Sequence, residues 1–262
     1  MPLTFGRSKH IIEEVNIKGT FFMKLILCKT YEEMSSEAAD EVTNLLKETP
    51  CATLGLATGS TPVGMYRQLV RRYERGEIDF SRVTTFNLDE YYPIAHDDEQ
   101  SYIRFMKENL FDHVNLAPDA CHIPNGEAKD AEAECRRYED LLTANGAIDL
   151  QVLGIGQNGH IGFNEPDGVL HASTHITRLT DSTLAANSRF FESEDVMPRR
   201  ALTMGIGTIL KAKKIILLAC GKSKHSAIAA LLDDRITTEI PATVLKTHPN
   251  VTLICDEEAY LG

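Results

Sequence analysis

The feature that most constrains the fold is a regular alternation of short apolar runs with segments whose apolar residues recur at helical spacing. The strand-like runs are residues 24–28, 51–57, 83–88, 149–155, 214–219 and 251–255. Helical patterns lie between them, at residues 32–47, 62–75, 102–110, 131–142, 181–190 and 223–232. This alternation predicts an α/β fold: a single-domain, open, mainly parallel sheet with helices on both faces, in a Rossmann-like arrangement.

The predicted domain covers most of the chain. A length of 262 residues is sufficient for a buried sheet with covering helices, and no internal repeat or Pro/Ser-rich linker divides it. Residues 1–22 precede the first strand-like run and lack the apolar core of a signal peptide. We therefore interpret residues 1–22 as an N-terminal extension outside the fold, and residues 23–262 as one α/β domain.

The charge balance limits the class of partner. Lysine and arginine total 27 and aspartate and glutamate 38, which gives a net charge of −11. Such an excess argues against nucleic acid or an anionic membrane, although a few local donors can still hold a small anion. No apolar run approaches the roughly 20 residues of a membrane span. No two of the 6 cysteines form a CxxC motif, and most of them lie beside apolar runs. This distribution is typical of reduced, buried thiols in a cytoplasmic protein.

Ligands of open α/β sheets bind beyond the carboxyl ends of strands, and polar segments follow the predicted strands here. The first is residues 54–62, in which a Thr-Gly-Ser-Thr turn leads into Pro62 and a helix. Gly59 permits close approach of the backbone, and Ser60 and Thr61 add hydroxyl donors. Free N–H groups at a helix start suit an anion, but a plain capped turn explains this segment equally well.

The second segment, residues 85–93, delivers Asp89 and Glu90 side by side at the end of a strand. Because adjacent side chains diverge, only one carboxylate needs to face a cleft. A carboxylate in that place can act as a general base. A solvated acidic turn is the alternative interpretation.

The third segment, residues 153–166, has glycine at 154, 156, 159 and 162, with His160 among them and Glu165 shortly after. Glycines at this density let the backbone curl against a ligand, and a histidine there can exchange protons near neutral pH. Glu165 can accept a hydrogen bond from the imidazole and fix its tautomer. The alternative is an ordinary histidine in a glycine-rich loop. No further metal ligands occur here at suitable spacing.

Basic residues follow two later elements. Lys222 and Lys224 lie where a strand passes through glycine into a helix, a position that a bound anion would make favourable. Arg189 lies at the end of the predicted helix 181–190, for which Asp181 or Ser182 is a suitable N-cap. Taken alone, solvated lysines and a helix-end arginine are common.

The segments ATGSTP, FNLDEYY, GIGQNGHIGFNEP, ANSRFF, ALTMGIGTIL and GKSKHSA occur in this order. Together they closely resemble the glucosamine-6-phosphate deaminase family, and the likeness runs from about residue 23 to the C-terminus. The 6-phosphogluconolactonases share the fold and part of the phosphate loop. NLDEY followed by GHIGFNEP is more similar to the deaminases.

This resemblance implies conversion of glucosamine 6-phosphate and water to fructose 6-phosphate and ammonia, with no cofactor and no metal. By the same likeness, Asp89 moves the C2 proton to C1, and His160 with Glu165 serves ring opening. Asn158 stands where some relatives have aspartate, so the relay is expected to depend more on Glu165.

The resemblance also implies how the sugar phosphate is bound. Phosphate is assigned to the loop of Gly59, Ser60 and Thr61 together with Arg189 and Lys224, and residues 174–198 to a lid. One branch of the family is a hexamer activated by N-acetylglucosamine 6-phosphate through basic residues after FNEP. No lysine or arginine lies between residues 167 and 177 here, so we expect no such site and a monomer.

Two other functions remain open. A 6-phosphogluconolactonase would share the fold. A non-catalytic sugar-phosphate sensor of a transcription regulator would share it too, but the 22 residues before Met23 are too few for a helix-turn-helix module and the chain is acidic. A sensor also does not require Asp89, His160 and Glu165 together.

Overall fold

A large sheet with parallel neighbouring strands organises the chain. The computed structural model describes residues 11–17, 21–191 and 196–262. Their strands are β1 (Ile11–Ile17), β2 (Phe21–Cys28), β3 (Thr53–Leu56), β4 (Thr84–Asn87), β5 (Asp89–Tyr92), β6 (Cys121–His122), β7 (Leu150–Gly154), β8 (His175–Arg178), β9 (Arg200–Thr203), β10 (Ile215–Ala219) and β11 (Val251–Asp256). The large sheet has the order β1-β2-β11-β10-β7-β3-β4-β6. All its pairings are parallel except that of β1 with β2, so the predicted mainly parallel sheet is confirmed.

Helices cover both faces of this sheet, as predicted. They are α1 (Tyr31–Glu48), α2 (Val63–Glu74), α3 (Tyr102–Asn109), α4 (Ala131–Asn145), α5 (Asp181–Asn187), α6 (Ile206–Ile209), α7 (His225–Leu232) and α8 (Glu257–Leu261). Lys24 of β2 forms an ion pair with Glu41 of α1, at 3.3 Å between Nζ and Oε1. Phe86 of β4 packs edge-on against Tyr138 of α4, with ring centroids 6.0 Å apart. The pairing registers place Lys24 and Phe86 in adjacent rows, whose side chains point to opposite faces.

The central strands are apolar because both faces are covered. All of β10 and β11 is buried, which matches the near-continuous apolar runs of a parallel sheet. The predicted element bounds differ from the observed ones by only a few residues. The N-cap of α5 is a correction: the side chain of Thr180, rather than that of Asp181 or Ser182, accepts the backbone N–H of Thr183.

A second, antiparallel sheet of order β5-β9-β8 was not predicted. Only Leu88 separates β4 of the large sheet from β5 of the small one. Asp89, predicted at the end of the preceding strand with an acidic turn as the alternative, is the first residue of β5 and pairs with Thr203 of β9. The pairing of β5 with β9 fixes the backbone of Asp89 at the edge of the large sheet where the parallel strands have their carboxyl ends.

The N-terminal boundary also differs from the prediction. Residues 11–17 and 21–22 lie within the predicted extension but belong to β1 and β2, and β1 pairs antiparallel with β2 at the edge of the large sheet. The segment Ile-Ile-Glu-Glu-Val-Asn-Ile is rich in β-branched residues, which favour such pairing. Residues 1–10 and 18–20 lie outside the described residues.

The described residues contain no helix with both the length and the apolar character needed to cross a bilayer. All 6 cysteines carry free thiols, and Cys28, Cys135 and Cys255 are buried. Cys51 is exposed: it is the first residue of the predicted strand-like run 51–57, but it lies in the turn before β3 and not in the strand.

Candidate active site

The segments that follow β3, β4, β7 and β10 surround one cavity of about 900 Å³. Four elements distant in the chain meet there because the carboxyl ends of parallel strands lie at the same edge of the sheet. The sequence-predicted residues that line the cavity are Gly59, Ser60, Thr61, Asp89, Asn158, His160, Arg189 and Lys224. Glu165 does not line the cavity, but its carboxylate contacts Nδ1 of His160.

Asp89 and Glu90 point in different directions although they are adjacent in β5. Asp89 lines the cavity and is 6% exposed; burial, with the nearby charge of Glu90, raises its pKa to about 8. Glu90 accepts hydrogen bonds from the backbone N–H groups of Tyr102 and Ile103 at the start of α3, at 2.9 and 3.1 Å. Only Asp89 is therefore placed to act on a ligand, and its raised pKa suits a general base near neutral pH.

His160 is held by two side chains of its own loop. Its Nδ1 lies 3.2 Å from Oε2 of Glu165, and Nδ2 of Asn158 donates to the same oxygen at 2.9 Å. Oδ1 of Asn158 accepts the backbone N–H of His160 at 3.2 Å. With Nδ1 directed at the carboxylate, Nε2 is the ring nitrogen left for a ligand.

Glu165 is an ionised carboxylate at neutral pH. Burial alone would raise its pKa, but the hydrogen bond and the charge of His160, with further hydrogen bonds from Thr183 and Asn158, lower it to about 2. A carboxylate in this position fixes the imidazole tautomer and stabilises an imidazolium when the ring takes up a proton.

The structure shows why two positions of this loop, 156 and 162, require glycine. A Cβ added at Gly156 would lie 2.4 to 2.6 Å from three atoms of the His160 ring, so only glycine lets the ring lie over this backbone. Gly162 has a φ of +56°, and a Cβ there would lie 3.5 Å from Oδ2 of Asp89. The loop thus reaches from the histidine to the carboxylate of β5.

The loop after β3 presents backbone and hydroxyl donors to the cavity. Gly59 has a φ of +88°, a conformation that L side chains rarely adopt. The hydroxyl of Tyr31 donates to the Ser60 carbonyl at 3.0 Å and accepts the Gly64 N–H at 2.8 Å. Because α2 begins directly after this loop, the positive end of the helix adds to the attraction for an anion.

Arg189 and Lys224, the two cations predicted to bind phosphate, line the same cavity as this loop. Arg189 lies in the 3₁₀ turn Ser188–Phe190 that follows α5, and Lys224 lies in the turn Lys222–Lys224 that precedes α7. Burial and the charge of Arg189 lower the pKa of Lys224. A bound dianion would relieve this repulsion between like charges.

Sequence reasoning missed several residues of the cavity. Tyr31, Arg67, Tyr102 and Thr183 line it but belong to helical patterns that gave no functional signal. The one available hint was the pair Thr180 and Thr183 beside the start of a predicted helix, because threonine favours helix N-caps. The contact of Tyr31 joins α1 to the loop before α2, which no local pattern reveals.

Side chains that could ligate a metal do not cluster in the described part of the chain. No three histidine, cysteine, aspartate or glutamate side chains come together there in a way that could hold a metal ion.

Comparison with known proteins identifies close relatives. A family model described as glucosamine-6-phosphate isomerases/6-phosphogluconolactonase matches residues 29–254. The glucosamine-6-phosphate deaminase of Thermoanaerobacter pseudethanolicus is 56% identical over 237 residues, which cover 90% of this chain and 94% of that protein. The deaminase of Halothermothrix orenii is 54% identical over 237 residues, 90% of this chain and 98% of that one.

Solved structures agree with this result. A monomeric glucosamine-6-phosphate deaminase superposes with a TM-score of 0.89 at 49% identity, over 90% of this chain and 98% of that chain. A 6-phosphogluconolactonase from Thermotoga maritima superposes with a TM-score of 0.71 at 20% identity, over 89% and 99% of the two chains, which is a likeness of fold. The family resemblance carried by the sequence motifs is thus confirmed, and the chain belongs to the glucosamine-6-phosphate isomerase/6-phosphogluconolactonase family.

Proposed function

We propose that this protein is a glucosamine-6-phosphate deaminase, which converts glucosamine 6-phosphate and water to fructose 6-phosphate and ammonia. The observation that carries the proposal is the shared cavity: a buried carboxylate, a carboxylate-held histidine and a cationic phosphate cradle all border it. Relatives at 54 and 56% identity that bear this name support it further.

Asp89 is the base of the proposed reaction. In the open-chain aldehyde it removes the proton at C2, and O1 takes up a proton as the C2 ammonium loses one. The enolate-like intermediate then receives the C2 proton at C1, which leaves a hydroxymethyl group at C1 and a protonated imine at C2. Water then hydrolyses the imine to the ketone, and ammonia leaves. A base on a paired strand keeps its carboxylate within hydrogen-bond reach of the carbon acid.

His160 opens the sugar ring before this step. Its free Nε2 carries a proton between the anomeric hydroxyl and the ring oxygen, while Glu165 holds Nδ1 and stabilises the imidazolium. Asn158 contributes by orientation: its amide donates to Glu165 and accepts from the His160 backbone. An amide cannot carry the charge of an aspartate, so Glu165 supplies the negative charge of the pair.

The phosphate of the substrate is held by the loop of Gly59, Ser60 and Thr61, with Arg189 and Lys224. This group does not react, so its binding energy serves to place C1 and C2 beside Asp89.

Lys224→Ala is expected to raise KM for glucosamine 6-phosphate about tenfold or more while kcat changes less, because the lysine contacts a group present throughout the reaction. Lys222→Ala is the matched control, since Lys222 is exposed in the same turn and does not line the cavity. Initial rates over a range of substrate concentrations measure both constants. An unchanged KM for Lys224→Ala would place that lysine outside the phosphate site.

Residues 174–198 form the proposed lid. They include β8, α5 and the turn with Arg189, while residues 192–195 lie outside the described part of the chain. Nδ2 of Asn187 donates to the hydroxyl of Tyr91 at 3.1 Å, a contact between this segment and β5. Closure over a bound sugar would exclude water from the enolate-like intermediate.

The protein is also proposed to be a cytoplasmic monomer without an allosteric site. We expect hyperbolic kinetics for glucosamine 6-phosphate that N-acetylglucosamine 6-phosphate does not alter, because the segment after FNEP lacks cations up to residue 177. Rates with and without the acetylated sugar, and light scattering for the mass, test both statements. Sigmoidal kinetics that the acetylated sugar abolishes would contradict the first.

An assay of ammonia release from glucosamine 6-phosphate tests the function as a whole. Release of ammonia together with fructose 6-phosphate is the expected result. Hydrolysis of 6-phosphogluconolactone without ammonia release would indicate a lactonase, and binding of the sugar phosphate without turnover would indicate a sensor. Either of these results would overturn the proposal.

A further inference from the structure

The hydroxyl of Thr180 acts both as a hydrogen-bond donor and as a hydrogen-bond acceptor. It donates to Oε2 of Glu165 at 3.1 Å, and as the N-cap of α5 it accepts the backbone N–H of Thr183 at 3.4 Å. The side chain of Thr183 lies 3.2 Å from the same hydroxyl and 3.4 Å from Nδ1 of His160. The first turn of α5 is therefore packed directly against the histidine–carboxylate pair.

The hydrogen bonds that orient the Glu165 carboxylate all involve its Oε2 atom. This oxygen accepts from His160, Asn158 and Thr180, whereas Oε1 is buried and has no hydrogen-bond partner among the described residues. His160 and Asn158 belong to the same loop as Glu165. Thr180 and Thr183 contact this group from a separate element, the start of α5, and the Thr180 hydroxyl is the donor to Oε2 at 3.1 Å.

The same element leads to the cationic end of the cavity. Helix α5 begins after Thr180 and continues into the 3₁₀ turn that contains Arg189. A shift of α5 along its axis would move the Arg189 turn and the Thr180 hydroxyl together, because the connecting helix has only two turns and little freedom to bend.

We propose that Thr180 is a positioning residue that couples the Arg189 end of the cavity to the His160–Glu165 pair. The inference rests on the proposed deaminase function. A phosphate held by Arg189 fixes α5, α5 fixes the Thr180 hydroxyl, and this hydroxyl aligns the carboxylate that orients the imidazole for ring opening. The residue does not touch the substrate and acts through Glu165.

Three substitutions at this position separate the donor role from the cap role. Thr180→Ser keeps both and is expected to retain activity. Thr180→Asp keeps a strong N-cap acceptor but has no hydrogen to donate and adds a negative charge near Glu165; we expect kcat to fall about tenfold to a hundredfold, with KM within about twofold. Thr180→Val loses both and is expected to lower kcat and raise KM.

Asp130→Ala is the control for helix capping in general. Asp130 caps α4, where its side chain accepts the Ala133 N–H, and it does not line the cavity. We expect it to lower thermal stability while kcat and KM stay unchanged. Thermal unfolding and circular dichroism of all variants show which of them fold.

The kinetic results decide the inference. If Thr180→Asp folds and has wild-type kcat, the hydroxyl is only a cap and the inference is overturned. If that variant does not fold, Thr180→Val with wild-type kcat overturns it in the same way. Wild-type protein that releases no ammonia would instead refute the proposed function, and this inference with it.

Discussion

Asp89→Asn is expected to lower turnover of glucosamine 6-phosphate by about 10³- to 10⁴-fold, at the upper range for removal of a general base. Asparagine has nearly the same shape but cannot accept the C2 proton. Exchange of the C2 hydrogen with solvent should therefore stop as well. Initial-rate measurements and proton NMR of the substrate in deuterated water detect the two losses, and retained exchange would remove Asp89 from the proposed mechanism.

Thermal stability as a function of pH shows whether Asp89→Asn leaves the fold intact. Burial and Glu90 raise the pKa of Asp89 from 3.8 to about 8, so the folded protein keeps a proton that the unfolded chain releases. The contribution of this group to the free energy of unfolding therefore falls as pH rises between these two values. Asparagine removes that penalty, and at pH 8 the variant should unfold at a higher temperature than the wild type. A lower unfolding temperature would show that the substitution damages the fold.

Gly156→Ala is the second substitution with a large expected effect, about a hundredfold in kcat. The added methyl would lie within 2.6 Å of three atoms of the His160 ring, so the ring must leave its place beside Glu165. The phosphate cradle is built from other loops, and binding of fructose 6-phosphate should persist. Kinetics together with calorimetric titration of fructose 6-phosphate measure both effects.

Gly168→Ala is the matched control for this change. A Cβ at Gly168 meets no heavy atom within 4 Å, and this residue does not line the cavity. We expect kcat and KM close to those of the wild type. If Gly156→Ala were as active as Gly168→Ala, the position of the His160 ring over Gly156 would have no part in catalysis.

Much of the large sheet could be predicted because most of its strands and covering helices show a recognisable pattern within their own segment of the sequence. The strand β10, for example, is a continuous apolar run, and the helix α1 shows its buried face as apolar residues at regular spacing. The rule that ligands bind beyond strand ends then located the loops of the cavity. The glycine-rich loop around His160 stood out for the same reason, since several glycines near one histidine are a feature of the sequence itself.

The small sheet could not be predicted because its pairings join distant parts of the chain. The segment Asp89–Tyr92 carries two carboxylates, which suggested the end of a strand or an acidic turn. Only its pairing with Arg200–Thr203 makes it a strand of a second sheet. The contact between Thr180 and Glu165 is hidden in the same way. Each of these residues is ordinary in its own segment, and its place in the site depends on a partner that the local sequence does not show.

The short passage from β4 to β5 through Leu88 has a consequence for biosynthesis. Asp89 emerges from the ribosome early, but the strand that pairs with it is translated long afterwards. Until β9 has been translated, the carboxylate at residue 89 lacks the strand that pairs with it. On the proposed role of Asp89, the enzyme acquires activity only when synthesis has passed Thr203, and a prematurely released fragment that ends before β9 would have no deaminase activity.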